Sequence, residues 1–282
     1  MAAVERIAQV REYVSAWRSE GLRVAFVPTM GNLHAGHLSL MAHAREAADR
    51  VVASIFVNPL QFGVGEDYQS YPRTMEADKV KLDGAGVHLL FSPTVAEMYP
   101  AGQKLTTQVA VPELGDDLCG AARPGHFSGM ATIVTKLLNV VQPDVALFGQ
   151  KDFQQLVIIR RLVEDLCLPV EVTGVPTTRE ADGLAMSSRN QYLTNDERTR
   201  APALYSALEK IADALADGAA DIKALCSEGE RALQAAGFLP EYIQVRRARD
   251  LAVPDNSDRN LVVLAAARLG KARLIDNIAI SR

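Results

Sequence analysis

Phe26-Val27-Pro28-Thr29-Met30-Gly31-Asn32-Leu33-His34-Ala35-Gly36-His37 is the stretch around which the rest of the chain can be ordered. The apolar run that leads into it, residues 23–27, reads as a strand buried in a parallel sheet. Pro28 and Gly31 then punctuate a loop, and residues 36–48 read as a helix. Strand, glycine-bearing loop and helix N-terminus in that order make an anion site: free backbone N–H groups and the positive helix end are expected to point at the ligand. His34 and His37 stand at this entrance, where imidazoles can donate to phosphate oxygens and stabilise charge developing at phosphorus.

Outward from this stretch the same alternation recurs. Residues 51–57 read as a second buried strand that ends at Asn58-Pro59, followed by a loop to Pro72 with no periodicity. A helix over 74–82, stopped by Gly84 and Gly86, leads to a third strand at 87–91. Residues 105–111 alternate as an edge strand would, and Arg123-Pro124-Gly125-His126-Phe127 is a turn before a helix at 129–141. A strand at 145–148, a helix at 151–166 and a strand at 170–175 complete the series, and residues 4–20 before it read as an amphipathic helix. Strands alternating with helices imply right-handed crossovers and a Rossmann-like, doubly wound, mainly parallel α/β sheet. The loops at 28–37, 58–72, 149–152 and 176–190 all follow strands and should converge where such sheets bind ligands, at their carboxyl ends.

The pattern changes after Val175. Residues 177–190 are polar and unpatterned, Thr194 and Glu197 form a capping box for a helix to 216, and a second helix covers 221–236. Strands at 242–245, 261–267 and 272–280 follow. This divides the chain into a larger domain, 1–175, and a smaller C-terminal α+β domain, 176–282.

Composition excludes several classes. The 282 residues carry 30 Lys and Arg against 34 Asp and Glu, a net charge of −4 that offers no electrostatic footprint for nucleic acid or an anionic membrane. No apolar run approaches a membrane span, and the acidic residues among the first 20 argue against a secretory or transit leader. The three scattered cysteines, Cys119, Cys167 and Cys226, suit a reducing cytoplasm better than a disulfide framework or a zinc site.

Three clusters could carry chemistry, and each has a plainer reading. His34-Ala35-Gly36-His37 is a phosphate site, a pair of surface histidines at a helix start, or, least well, part of a metal site that no further Cys or His completes. Gly149-Gln150-Lys151-Asp152 places a point charge where a strand gives way to a helix, or is only a capping box with Asp152 as cap and Gln155 at its third position. Met186-Ser187-Ser188-Arg189 could clamp a polyphosphate, or be a solvated loop. Gln61 and Gln155 are neutral amides suited to hydroxyl and carboxylate recognition.

Together these stretches resemble the pantothenate synthetase (pantoate–β-alanine ligase) family of the nucleotidyltransferase-like superfamily, whose signatures are like those of class I aminoacyl-tRNA synthetases. The resemblance is carried by residues 27–37, Ser54-Ile55-Phe56-Val57-Asn58-Pro59-Leu60-Gln61-Phe62, Tyr71-Pro72-Arg73-Thr74 and Arg123 through Phe127. It continues through residues 148–155, residues 182–190 and Ala272-Arg273-Leu274-Ile275-Asp276-Asn277, in family order over nearly the full chain. It implies that pantoate and ATP form an enzyme-bound pantoyl adenylate and pyrophosphate, and that the amine of β-alanine then displaces AMP to give pantothenate. It implies an ATP site at Met30, Gly31, Asn32, Leu33, His34, Ala35, Gly36, His37, Gly149, Gln150, Lys151, Asp152, Thr178 (through its backbone, to adenine), Met186, Ser187, Ser188 and Arg189. His34, His37 and Lys151 would be catalytic, with protonated His37 able to donate. Gln61, Gln155, Asn58 and Tyr71 would bind pantoate, and Gln61 also β-alanine. Magnesium would accompany ATP, with Asp78 the one candidate protein ligand, and the C-terminal domain would act as a lid. The resemblance further implies a cytoplasmic homodimer joined through the larger domain, with neither nucleic acid nor membrane as partner. The nearest rival is a plain adenylyltransferase, which shares the His-x-x-His loop but lacks the block around Gln61. A silent nucleotide-binding protein is disfavoured by His34, His37, Lys151 and Arg189.

Overall fold

The strand before the His-x-x-His loop is the second of a six-stranded sheet in which every ladder is parallel. The structure is a computed structural model that describes residues 1–63 and 65–282; Val64, inside the expected 58–72 loop, lies outside the described residues. Its elements are β1 (Ala2–Val4), α1 (Ile7–Ser19), β2 (Val24–Thr29), α2 (Ala35–Ala47), β3 (Arg50–Ile55), α3 (Met75–Gly84), β4 (Leu89–Phe91), α4 (Val95–Met98), α5 (Cys119–Ala122), α6 (His126–Val141), β5 (Val145–Gly149), α7 (Phe153–Asp165) and β6 (Glu171–Val175). After these come α8 (Asn195–Arg200), α9 (Ala203–Ala216), α10 (Ile222–Ala235), β7 (Leu239–Arg247), β8 (Asn260–Leu269) and β9 (Ala272–Ser281). Two compact units result, Met1–Gln150 with Ile158–Pro176, and Lys151–Val157 with Thr177–Arg282.

In the first unit the sheet order is β1-β4-β3-β2-β5-β6. The chain winds outward from β2 through β3 to β4, then starts again on the other side of β2 with β5 and β6, so the direction reverses between β2 and β5. Alternate residues of the strands face opposite helical layers. Leu40, Met41 and Ala44 of α2 cover Ala25, Val27, Val51, Ala53, Val145 and Leu147. On α6 residues such as Met130, Ile133, Val134, Leu137, Leu138 and Val141 are all buried, which is why its sequence is apolar almost all round. The second unit is an antiparallel sheet β7-β8-β9. It shares a core with Leu204, Leu208, Ile211 and Leu215 of α9 and Leu233 of α10.

Three local expectations are corrected. Val4 is not on a helix: β4 offers it a parallel ladder through Phe91, so a short edge strand precedes α1. Residues 105–111 are not a strand. Gln103–Leu105 is a 3-10 turn, and the Val109 N–H donates to the hydroxyl of Thr132 on α6, at 2.9 Å, instead of to a sheet neighbour. The helix expected from Thr194 to 216 is two, α8 and α9, because Pro202 has no N–H with which to continue the ladder.

Candidate active site

The loop after β2 turns through two consecutive left-handed residues, Gly31 (φ +82°) and Asn32 (φ +51°). Gly31 has no room for a side chain, since a Cβ there would lie 3.0 Å from Ile55 and 3.1 Å from Asp78. The turn is held by Asp78, a fully buried carboxylate on α3. One oxygen accepts the Leu33 N–H at 2.8 Å; the other accepts the Asn32 N–H at 2.8 Å and the Thr74 hydroxyl at 3.0 Å. Lys81, one turn along α3, donates to the Leu33 carbonyl at 2.6 Å. The Gly31 N–H in turn donates to the Thr29 hydroxyl.

The expectation of free backbone N–H groups in this loop is therefore overturned. The N–H groups of Gly31, Asn32 and Leu33 are spent on Thr29 and Asp78, and α2 caps itself. His34 is the N-cap, and its Nδ1 accepts from the Gly36 N–H at 3.2 Å. His37 is three residues on, and its Nδ1 accepts from the His34 N–H at 3.3 Å. This is a capping box written with two histidines, and the rings lie tilted by 43° with centroids 4.1 Å apart. Because Nδ1 of each ring is an acceptor, each neutral imidazole carries its proton on Nε2. The helix start thus spends the N–H groups of Gly36 and His34 on the two imidazoles.

Gln61 sits 8 % exposed at the end of a 3-10 turn, Pro59–Gln61, after β3. Its oxygen accepts from Asn58 Nδ2 at 3.2 Å, and its own Nε2 lies 3.1 Å from the sulfur of Met30. Asn58 itself is buried and internally committed. Nδ2 also donates to the Gly129 carbonyl, while its oxygen accepts from the Leu60 N–H and, at 2.6 Å, from the Tyr99 hydroxyl. Burial pushes the Tyr99 phenol above its ordinary pKa, so it stays a donor. Asn58 thus orients Gln61, while Tyr71 is a buried ring packed edge-on against Phe62.

The Arg123–Phe127 turn, which carried no task in the sequence, anchors the Gln61 turn. His126 Nδ1 donates to the Gln61 carbonyl at 2.7 Å, which leaves Nε2 to accept from Arg123 at 2.9 Å. Arg123 in turn forms a two-pronged ion pair with Glu66, both contacts 2.6 Å. Burial pushes the Glu66 carboxyl up, but hydrogen bonds and charge from Arg123 outweigh it and hold the group near 2. A pocket of about 360 Å³ is lined by Met30, Phe56, Tyr68, Arg73, Thr74 and Val95.

Gly149 ends β5, the strand across the switch point from β2, and Gln150 follows it. The ladder between these strands covers Ala25–Phe26 with Val145–Ala146, short of the ends that carry Met30 and Gly149. In the second unit, Lys151 and Asp152 complete a 3-10 turn, Gln150–Asp152, ahead of α7, which bears Gln155. Residues 178–186 form a closed hairpin, with the Met186 N–H on the Thr178 carbonyl at 3.0 Å and a bridge between Arg179 and Ala185. Ser187 caps the short 3-10 helix Ser188–Tyr192 that carries Arg189, its hydroxyl accepting the Arg189 N–H. Two of the three candidate clusters, Lys151 and the Met186–Arg189 run, therefore belong to one compact unit, and the histidine cluster with Gln61 to the other.

A parallel, doubly wound sheet with a histidine-capped helix at its switch point defines a nucleotide-using α/β protein. The model of the family described as pantoate-beta-alanine ligase matches residues 2–279. The pantothenate synthetase of Shewanella amazonensis is 59 % identical over 276 residues, covering 98 % of each chain. That of Pseudomonas aeruginosa is 55 % identical over 280 residues, covering 99 % of each. Among solved structures, a pantothenate synthetase from Thermus thermophilus aligns with a TM-score of 0.91 at 46 % identity, over 99 % of both chains. A pantoate-beta-alanine ligase from Francisella tularensis, complexed with beta-gamma ATP and beta-alanine, aligns with a TM-score of 0.82 at 34 % identity over 99 % of this chain and 97 % of that one. The chain belongs to the pantoate-beta-alanine ligase family. ATP-dependent ligation of pantoate to β-alanine through their carboxylate and amine is the activity that follows.

Proposed function

We propose that the reaction runs through a pantoyl adenylate and that the residues picked out above divide it between them. A carboxylate oxygen of pantoate attacks the α-phosphorus of ATP and pyrophosphate leaves. The amine of β-alanine then attacks the acyl carbon of the mixed anhydride, and AMP leaves with the electron pair of the broken C–O bond. His34 and His37 donate from Nε2 to the α-phosphate and the departing pyrophosphate. His37 Nδ1 accepts the His34 N–H at 3.3 Å, which leaves Nε2 as the ring nitrogen that donates. Lys151, Ser187, Ser188 and Arg189 hold phosphate oxygens; Met30 through Gly36, Gly149, Gln150, Asp152, Thr178 and Met186 shape the remaining nucleotide contacts. Gln61 and Gln155 bind pantoate, Gln61 also β-alanine, with Asn58 and Tyr71 behind them.

The observation that carries this reading is the histidine capping box itself, which engages Nδ1 of both rings at the helix start beside the switch point of the sheet. ATP enters with magnesium on its phosphates. Against Asp78 as a ligand to that ion stands its burial, with both oxygens accepting hydrogen bonds from Asn32, Leu33 and Thr74. The protein acts in a reducing compartment, the cytoplasm, in keeping with three cysteines that form no disulfide among the described residues, and no described helix is long and apolar enough to cross a membrane. It is a homodimer through the larger unit, and light scattering decides the stoichiometry. The assay that tests the whole reading follows AMP, pyrophosphate and pantothenate while ATP, pantoate and β-alanine are omitted in turn. Pyrophosphate release must require pantoate but not β-alanine; release with ATP alone defeats the proposal.

A further inference from the structure

The motif Ala272-Arg273-Leu274-Ile275-Asp276-Asn277 has so far no task, although it runs along β9 and ends in two buried polar residues. Asp276 is 3 % exposed and Asn277 7 %. A strand position of this kind is ordinarily apolar, and each buried polar group needs partners to offset its desolvation. Where those partners lie is informative, because both point at loops of the same compact unit that the proposed nucleotide site uses.

Asn277 Nδ2 donates to the backbone carbonyl of Lys151 at 2.9 Å, across 126 positions of sequence. Asp276 accepts both terminal nitrogens of Arg179, at 2.6 and 3.0 Å, and its Oδ1 also accepts the Asn277 N–H. Arg179 lies in the 178–186 hairpin, donates to the Gly183 carbonyl at 3.0 Å, and stacks on the ring of Tyr205 with 3.7 Å between guanidinium carbon and ring centre. Gly183 (φ +90°) cannot carry a side chain, since a Cβ would meet that ring at 2.6 Å. The hairpin delivers Met186 directly to Ser187, Ser188 and Arg189. Two neighbouring residues of one strand therefore fasten two loops far apart in sequence, one bearing Lys151 and the other leading to Arg189.

We infer that Asp276 and Asn277 are positioning residues for the nucleotide site: Asn277 sets the backbone from which the Lys151 ammonium reaches phosphate, and Asp276, through Arg179, sets the hairpin before Ser187–Arg189. This rests on the proposed role of Lys151. Neither residue touches substrate; each acts by limiting where a phosphate-binding side chain can start. A bidentate guanidinium–carboxylate pair fixes direction as well as distance, and its stacking on Tyr205 removes the remaining freedom of the fork.

The test is a double-mutant cycle on the adenylation half-reaction, read as pantoate-dependent exchange of labelled pyrophosphate into ATP by the full-length protein. Asn277→Ala should slow exchange on the order of tenfold in the parent and no more than about twofold in a Lys151→Ala background, because its effect passes through Lys151. Aminolysis of pantoyl adenylate supplied from outside should be unchanged by Asn277→Ala, a readout that general loosening of the unit would move. If Asn277→Ala does not fold, Asn277→Ser, which is too short to span to the carbonyl, takes its place in the same cycle. Equal losses in both backgrounds, or full exchange activity in Asn277→Ala while Lys151→Ala is impaired, overturn the inference and leave the assignment of Lys151 standing. An unimpaired Lys151→Ala removes that assignment and the inference with it.

Discussion

Gly129→Ala is the sharpest perturbation that the first unit offers. Gly129 lies in α6 with its open face against the 3-10 turn that carries Gln61. A Cβ at this position would sit 2.1 Å from the Leu60 carbonyl oxygen, 2.4 Å from its carbon and 2.7 Å from the Gln61 nitrogen. All three are backbone atoms, so no rotamer change relieves the clash. Clearing it requires the turn to retreat by about 1 Å, and overpacking of this kind costs about 1–3 kcal/mol. The same retreat strains the Asn58–Gly129 and His126–Gln61 hydrogen bonds that orient the Gln61 amide. A misplacement of about 1 Å at a substrate-positioning group can lower rates by about 100-fold. Steady-state kinetics should therefore show a fall in kcat/KM for pantoate on that order, with KM for ATP little changed, and urea denaturation a loss of about 1–3 kcal/mol. Parental kcat/KM together with parental stability would refute both the contact and the role given to the turn.

Lys151→Ala should lose about 2–5 kcal/mol of transition-state stabilisation, confined to pyrophosphate exchange, with aminolysis of supplied adenylate intact. Asp78→Ala strips acceptors from two backbone N–H groups and a hydroxyl in a fully buried site, and denaturant titration should find it about 2–5 kcal/mol less stable. Raising magnesium should not restore ATP use by Asp78→Asn; rescue would mean that the carboxylate binds the ion after all. Glu66, held near 2 against an ordinary 4.5, contributes stability that is complete above pH 4.5 and drains away as pH falls towards 2. Glu66→Gln should accordingly be about 1–2 kcal/mol less stable at pH 7, a value reduced because solvent still reaches the pair, and the gap should narrow steadily below pH 4.5.

The alternation of buried strands with helices was plain in residues such as Val24–Val27 and Val51–Ile55 because a parallel strand is apolar on both faces over its whole length. The ends were harder to see. Val4 fits a helix stripe as well as an edge strand, and only the open edge of β4 decides between them. Residues 105–111 alternate without a neighbour to pair with, so the pattern had no consequence. The order of residues around His34 and His37 was legible, but not their hydrogen bonding, since the partner that consumes the loop N–H groups, Asp78, lies 45 positions from Leu33. The same holds for Gln61. Its residue type pointed to substrate, whereas the groups that aim it, Tyr99, Arg123, His126 and Gly129, come from other turns and helices and leave no local pattern.

The hydrogen bond between Asn277 and the Lys151 carbonyl has a consequence for how the molecule is made. Translation reaches position 277 only after 126 further residues have followed the lysine, about 6–25 s at ordinary elongation rates. Once β6 (Glu171–Val175) has followed, the first unit has its sheet strands and its histidine pair, while the lysine turn still waits for its tether. A nascent chain thus carries the lysine turn without its tether, and a chain that stops before β9 never acquires it.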